Sequence, residues 1–173
     1  MILPYVGLQS FQGSNGDGLN PGLRAGAFVG RYFRRIWSLN GQAELDILNP
    51  NEEASSAGVG ASAQMLGVAF SPLVHLGNGK AELVAGPKLG GWLQRKHLAA
   101  GCSSVDYTLE GWTLGANVGV FTAASPSTLF GGMLSLEVRD VLRACGSGTG
   151  IAGSCSSSGA SAAILGFTVG LLL

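Results

Sequence analysis

Apolar and polar residues alternate along long stretches of the chain, most clearly over residues 37–47. The apolar positions there, Trp37, Leu39, Gly41, Ala43, Leu45 and Ile47, interleave with Ser38, Asn40, Gln42, Glu44 and Asp46. A period of two residues is typical of a β-strand with one apolar and one polar face. Extended along the chain, the pattern predicts eight strands, at 3–13, 22–33, 37–49, 62–74, 81–95, 106–122, 128–142 and 160–173.

The connections between these strands alternate strictly between short and long. The short turns are centred on 34–36, 77–80 and 124–127, and Asn78-Gly79 in the second is a dipeptide typical of tight hairpins. The long connections run through Ser14–Pro21, Pro50–Ala61, Lys96–Val105 and Arg143–Gly159. Short turns at one end and long loops at the other are typical of up-and-down transmembrane barrels. The sequence therefore predicts an all-β fold, a closed eight-stranded antiparallel up-and-down transmembrane β-barrel, with residues 1–173 as its single domain.

Glycine decides which face of the predicted barrel is inside. The polar face carries many glycines, whereas most large Leu, Val and Phe side chains lie on the apolar face. A soluble, lipocalin-like barrel with an apolar interior would place those glycines in water, where they weaken a strand without any gain in packing. The interior of an eight-stranded barrel has little room, so small residues fit there. We therefore expect a polar lumen and an apolar, lipid-facing exterior.

Composition supports this choice. Only 12% of the residues are charged, against about 25% in ordinary soluble domains, so the chain has little with which to coat a surface in water. It also lacks the run of about 20 apolar residues that a membrane-spanning helix needs. Its net charge of zero gives no basic surface for nucleic acid.

Aromatic residues gather toward both ends of the predicted strands, where two interfacial girdles are expected. Those assigned to the short-turn end are Tyr32, Phe33, Trp37, Phe70 and Phe130, and those assigned to the long-loop end are Trp92, Tyr107 and Trp112.

The chain resembles the small bacterial outer-membrane β-barrels, such as the membrane domain of outer membrane protein A and its eight-stranded relatives. The resemblance lies in the stretch Gly86-Pro87-Lys88-Leu89-Gly90 and in the closing alternation through Phe167, Val169, Leu171 and Leu173. It implies a location in the bacterial outer membrane, with membrane lipids and lipopolysaccharide as surroundings. It also implies a lumen closed by internal salt bridges.

Seven charged residues fall on the face assigned to the lumen: Arg24, Glu44, Asp46, Glu82, Lys88, Glu137 and Arg139. Unpaired charges in a narrow, poorly solvated interior are costly, so these side chains should pair with one another. The leading interpretation is a network that fills and fixes the barrel. A narrow pore for ions or small solutes, lined by the same charges, is the alternative.

Catalysis on lipid A is a third possible function of such a barrel. Some barrels that this chain resembles modify lipid A with His, Ser and carboxylate side chains, but only His75 and His97 are available here, without a Gly-x-Ser-x-Gly elbow or a metal-ligand spacing. We expect both histidines to be solvated or interfacial. The prediction is a non-enzymatic monomer with a structural, anchoring or surface-interaction role, no cofactor and no metal, whose loop partner is unknown.

The three cysteines lie in the last two long loops. Cys145 and Cys155 share one of them, and a disulfide between the two suits an oxidising exterior. Because Cys102 is the odd member, its pairing with Cys145 or with Cys155 stays open.

Overall fold

The computed structural model of the chain describes residues 2–12, 22–33, 36–48, 59–78, 80–100, 103–125, 128–149, 151–157 and 161–172. Within these ranges strands are the only regular secondary structure. They are β1 (Ile2–Gln12), β2 (Gly22–Phe33), β3 (Trp37–Leu48), β4 (Val59–Gly77), β5 (Ala81–Ala100), β6 (Ser103–Ser125), β7 (Thr128–Gly148), β8 (Ile151–Ser157) and β9 (Ser161–Leu172). Among the residues described, no helix has the length and apolarity needed to cross a membrane.

Eight of these strands close into a ring. Each strand from β1 to β7 pairs antiparallel with the next, β7 also pairs with β9, and β9 pairs with β1 through contacts such as Tyr5 with Gly170. Among the described residues, strand β8 pairs only with β7, beyond the part of β7 that contacts β9. The predicted closed, eight-stranded antiparallel barrel is confirmed.

Two of the predicted long loops are wrong in extent, because strands continue through them. Residues 96–100 and 103–105 form the ends of β5 and β6, which stay paired as far as Ala100 with Ser103. Much of the Arg143–Gly159 segment is the β7–β8 hairpin, held by a disulfide between Cys145 and Cys155. The disulfide is confirmed, while Cys102 and the loops Ser14–Pro21 and Pro50–Gly58 lie outside the described residues. The hairpins at the long-loop end are rich in Ser, Gly and Ala. These residues are all small, so apolar and polar positions do not differ enough there for alternation to reveal a strand.

The barrel is apolar outside and polar inside, the reverse of a soluble protein. In β3 the outward Leu45 and Ile47 are 43% and 44% exposed, whereas the inward Glu44 and Asp46 are 4% and 0% exposed. If the outer face were in water, the carboxylates would be better solvated there than in the lumen. This arrangement is therefore stable only where the exterior meets hydrocarbon.

The height of the apolar band matches a bilayer. Along β4 the outward side chains are apolar from Leu66 to Leu76, and the next outward residue above them is the exposed Gln64. Ten residues at about 3.3 Å each, tilted by about 40°, rise about 25 Å, the height of the apolar band on outer-membrane barrels.

The aromatic residues divide between the two ends with three departures from expectation, the first of which is Phe70, an outward residue in the middle of the apolar band. Phe33 and Trp37 stack at the short-turn end, with ring centroids 4.7 Å apart, and Trp112 is partly exposed near the other end. Trp92 instead points into the lumen, where its Nε1 donates to the Trp112 carbonyl oxygen. Tyr32 has the inward phase of Phe28, and its ring lies against His75, with centroids 4.6 Å apart.

Candidate functional site

Six charged side chains meet at mid-height in the lumen, and we call them the plug: Arg24 of β2, Glu44 and Asp46 of β3, Lys88 of β5, and Glu137 and Arg139 of β7. Each is at most 4% exposed. They converge because each occupies the inward phase of its strand and the strand register brings them to one level. Arg24, for example, lies directly opposite Asp46.

Glu137 is the centre of the plug, since all three cations bind it. Its Oε1 accepts from Arg24 Nη1 at 2.7 Å and from Lys88 Nζ at 2.8 Å. Its Oε2 accepts from Arg139 Nη2 at 3.0 Å and from Arg139 Nε at 3.2 Å. A single carboxylate thereby links three strands of the barrel, β2, β5 and β7.

Glu44 and Asp46 complete the pairing from the other side of the lumen. Glu44 accepts from Lys88 Nζ and from Arg139 Nη2, both at 2.8 Å. Asp46 accepts from Arg24 Nε at 2.9 Å and from Arg139 Nη1 at 3.3 Å. Every plug residue therefore has at least two partners of opposite charge. With three acids and three bases, the plug is neutral as a whole.

Neutral polar side chains form additional hydrogen bonds with the charged groups of the plug. Gln9 accepts from Arg24 Nη2 at 2.6 Å, and Gln42 donates to Glu44 at 2.9 Å and to the Tyr5 hydroxyl at 2.8 Å. Buried charges are tolerable only when such extra bonds satisfy them.

Glycines make the space that the long plug side chains fill. A Cβ at position 67 would lie 2.8 Å from Glu44 Cγ, and one at position 166 would lie 2.6 Å from Ser135 Oγ and 3.1 Å from Arg24 Nη1. The glycines on the polar face thus serve close approach rather than backbone flexibility.

Apolar side chains cover the plug on both sides along the barrel axis. Toward the short turns lies a cluster of Leu3, Tyr5, Phe28, Val84, Phe121 and Met133. Toward the loops lies a smaller one of Met65, Trp92 and Val141. These layers keep water from the ion pairs and so strengthen them.

Glu82, the seventh predicted lumen charge, does not join the plug. It lies at the short-turn end, where its Oε1 is 2.7 Å from His75 Nδ1. The expectation of a solvated or interfacial His75 is wrong, because the ring is 5% exposed and its Nε2 is 2.7 Å from Ser38 Oγ. Alternation could have placed both side chains on the lumen face, since Ser38 shares the inward phase of Glu44 and His75 that of Leu73.

His97 differs from His75. Its side chain is half exposed at the loop end, and its Nδ1 is 2.6 Å from Asp106 Oδ1. Across the described strands, no three His, Cys, Asp or Glu side chains come together as a metal site would require.

No family model matches this sequence, and no curated protein matches it by sequence. Solved structures do match its fold. A major outer membrane protein from Thermus thermophilus superposes with a TM-score of 0.70 at 9% identity, over 98% of this chain and 96% of that one. Neisserial surface protein A gives 0.62 at 13% identity over 99% and 96%. Ail, the attachment invasion locus protein of Yersinia pestis, gives 0.57 at 11% identity over 99% and 95%.

These likenesses concern the fold, since the identities are low. Together with the apolar exterior and the charged lumen, they define the class: the chain has the fold of the small eight-stranded β-barrels of bacterial outer membranes.

Proposed function

We propose that residues 1–173 form one monomeric barrel domain of the bacterial outer membrane, closed to solutes, that anchors and displays a surface for interaction. The observation that carries this proposal is the plug. Membrane lipids and lipopolysaccharide would surround its apolar band.

The pairing within the plug supports a closed lumen. A solute that passes the plug must separate at least one buried ion pair, because the six side chains come from strands all around the ring. Breaking a buried pair costs about 3–5 kcal/mol. By that magnitude an open state would be populated at about 1% or less. A structural role for the charges is therefore favoured over a narrow pore.

The strand ends beyond the apolar band support the display role. We call them the outer extension: Arg95–Ala100 of β5, Ser103–Glu110 of β6, Arg143–Gly148 of β7, and β8. Its sheet is continuous with the barrel wall and therefore holds its surface side chains on a rigid base.

Charge on the outer extension suggests the kind of partner. Ail has been solved in complex with the heparin analogue sucrose octasulfate, a polyanion. Here the outer extension carries Arg95, Lys96 and Arg143 against Asp106 and Glu110. His97 pairs with Asp106, and Arg143 Nη1 lies 3.8 Å from Glu110 Oε1. Because the outer extension carries charges of both signs, it suits a protein partner that also carries both signs better than it suits a polyanion. We expect elution from a heparin column at low salt, and retention at high salt would count against this assignment.

Conductance tests the closed lumen. The full chain, folded in detergent and inserted into planar bilayers, should show no large, steady openings. Glu110→Gln, which alters only an exposed pair, should behave in the same way. Stable single-channel openings of the unaltered protein would overturn the proposal in favour of the pore.

Gel migration tests the membrane barrel itself. Extracted in detergent, the protein should migrate differently with and without heating, because a closed barrel stays folded in the unheated sample. Recovery in the aqueous fraction without detergent would contradict a membrane barrel.

A further inference from the structure

Three side chains form a hydrogen-bonded line at the short-turn end of the lumen, and we call them the floor triad: Ser38 of β3, His75 of β4 and Glu82 of β5. Ser38 Oγ is 2.7 Å from His75 Nε2, and His75 Nδ1 is 2.7 Å from Glu82 Oε1. Adjacent strands hold the three residues, and His75 is further fixed by its backbone N–H, which donates to the Ile36 carbonyl oxygen at 2.6 Å.

The hydrogen-bond roles in this line follow from the carboxylate. An ionised Glu82 can only accept, so His75 Nδ1 carries the hydrogen that lies between them. With that hydrogen on Nδ1, the Nε2 of a neutral ring accepts from the Ser38 hydroxyl. This is the order of groups that activates a serine: nucleophile, base, and a third group that orients the base.

We propose that the floor triad is a catalytic site for small carboxylic esters that enter from the short-turn end. Ser38 is the nucleophile, His75 the general base, and Glu82 a positioning residue that acts through His75. The site lies apart from the plug, which keeps its closing role.

Asn40 supplies the donor that such a reaction needs beside the nucleophile. Its Nδ2 donates to Ser38 Oγ at 2.7 Å and to the Ser71 carbonyl oxygen at 3.0 Å. When Ser38 Oγ becomes an ester oxygen, the first of these hydrogens is free to meet the negative oxygen that develops on the neighbouring carbon. A donor placed there before reaction stabilises that charge.

Tyr32 controls access to the floor triad. It lies directly opposite Ser38 in the β2–β3 register, and its ring covers His75. Ser38 is fully buried beneath this cover, whereas Tyr32 itself is 37% exposed. Exposed side chains change rotamer on the picosecond to nanosecond scale, so the cover can open without disturbing the barrel.

The reaction balances with water as the only co-reactant. Ser38 Oγ attacks the ester carbonyl carbon while its proton passes to His75 Nε2. The alcohol leaves with that proton, and the acyl group stays on Ser38. A water molecule then attacks the acyl carbon, the carboxylic acid departs, and the proton returns to Ser38.

A fluorophosphonate probe tests the nucleophile directly. Attack by Ser38 would form an O–P bond and release fluoride, and peptide mapping by mass spectrometry would locate the added group. With the full chain folded in detergent, we expect label at Ser38. Ser38→Ala should abolish it, and Ser71→Ala should not, because Ser71 is equally buried in the same wall but its hydroxyl accepts from Asn117.

The other two members should change the rate of labelling rather than the fold. His75→Asn should slow labelling by about 100-fold or more, the usual contribution of a general base, and Glu82→Gln by about tenfold or more. Tyr32→Ala should raise the rate. Heat-modifiable migration of each variant checks that the barrel is intact.

Two results would overturn the proposal. One is label that persists in Ser38→Ala or maps elsewhere on the unaltered chain. The other is a complete lack of label in both the folded protein and folded Tyr32→Ala, which would leave the line of hydrogen bonds with a purely structural role. Hydrolysis of p-nitrophenyl acetate, followed for the same variants, should rank them in the same order.

Discussion

Replacing Glu137 with glutamine tests the energetic importance of the plug. The substitution keeps the shape of the side chain but removes the negative charge that Arg24, Lys88 and Arg139 share, with contacts at 2.7, 2.8 and 3.0 Å. Three buried cations then face two carboxylates. In addition, the NH2 group of the new amide is a hydrogen-bond donor placed among cations that are themselves donors. The barrel would hold one uncompensated charge in a water-poor interior.

The expected magnitude is large. Removing one partner of a buried ion pair costs about 3–5 kcal/mol. With a urea dependence of about 2 kcal/mol per molar, the unfolding midpoint should fall by about 1.5–2.5 M. The exposed pair offers a matched control, because Glu110→Gln removes a carboxylate 3.8 Å from Arg143 and should change stability by less than about 1 kcal/mol.

Urea titration in lipid vesicles, read by the folded band on an unheated gel, measures these midpoints. Adding Lys88→Met to Glu137→Gln restores neutrality with two charges of each sign, so the double variant should be more stable than the sum of the single losses predicts. A Glu137→Gln midpoint within about 0.3 M of the unaltered protein, less than about 0.6 kcal/mol at the same slope, would refute the electrostatic account of the plug.

Other parts of the barrel give further predictions. Phe70→Arg, in the middle of the apolar band, should cost about 2–4 kcal/mol by vesicle titration, whereas Gln64→Arg, at the border nearest the long loops, should cost about 0–1 kcal/mol; equal losses would contradict the assigned membrane position. Replacing Cys145 and Cys155 with serine should leave the barrel's unfolding midpoint nearly unchanged, since β8 pairs only with β7, while trypsin cleavage after Arg143 should become faster. Unchanged cleavage would show that the hairpin stays closed without its disulfide.

The sequence predicts the wall of the barrel well, because the alternation of residue types along each strand is the direct result of one face contacting lipid and the other facing the lumen. Large apolar residues must face lipid and small or polar ones must face the lumen, so every strand of the ring carries the signal. The prediction fails above the bilayer, where that sorting no longer applies. For this reason strand β8 and the loop-end parts of β5 and β6 are predicted as loops.

The lumen charges could be predicted as a set but not as a network. The phase of each strand identifies Arg24, Lys88 and Glu137 as inward, yet their partners depend on the stagger between strands, which a single sequence does not fix. Glu82 shows the difference. It has the same phase as Lys88 but lies lower in the lumen, where it meets His75 instead of the plug.

The distribution of plug charges along the chain also affects how the barrel is built. In chain order, β2 contributes one cation, β3 two anions and β5 one cation, so the plug charge of the first five strands already sums to zero. Strand β7 then adds Glu137 and Arg139, one of each sign. We therefore expect that a sheet of strands β1 to β5 can enter the membrane with no net plug charge on the face that becomes the lumen. Strand β7 does not change this balance, because it adds one charge of each sign. The pairing between β1 and β9 joins segments far apart in sequence, so it carries a large loop-closure entropy cost and we expect it to form late. A plug that is already neutral before this pairing forms removes an electrostatic cost that a sheet with an unpaired β1 and β9 would otherwise meet in the membrane.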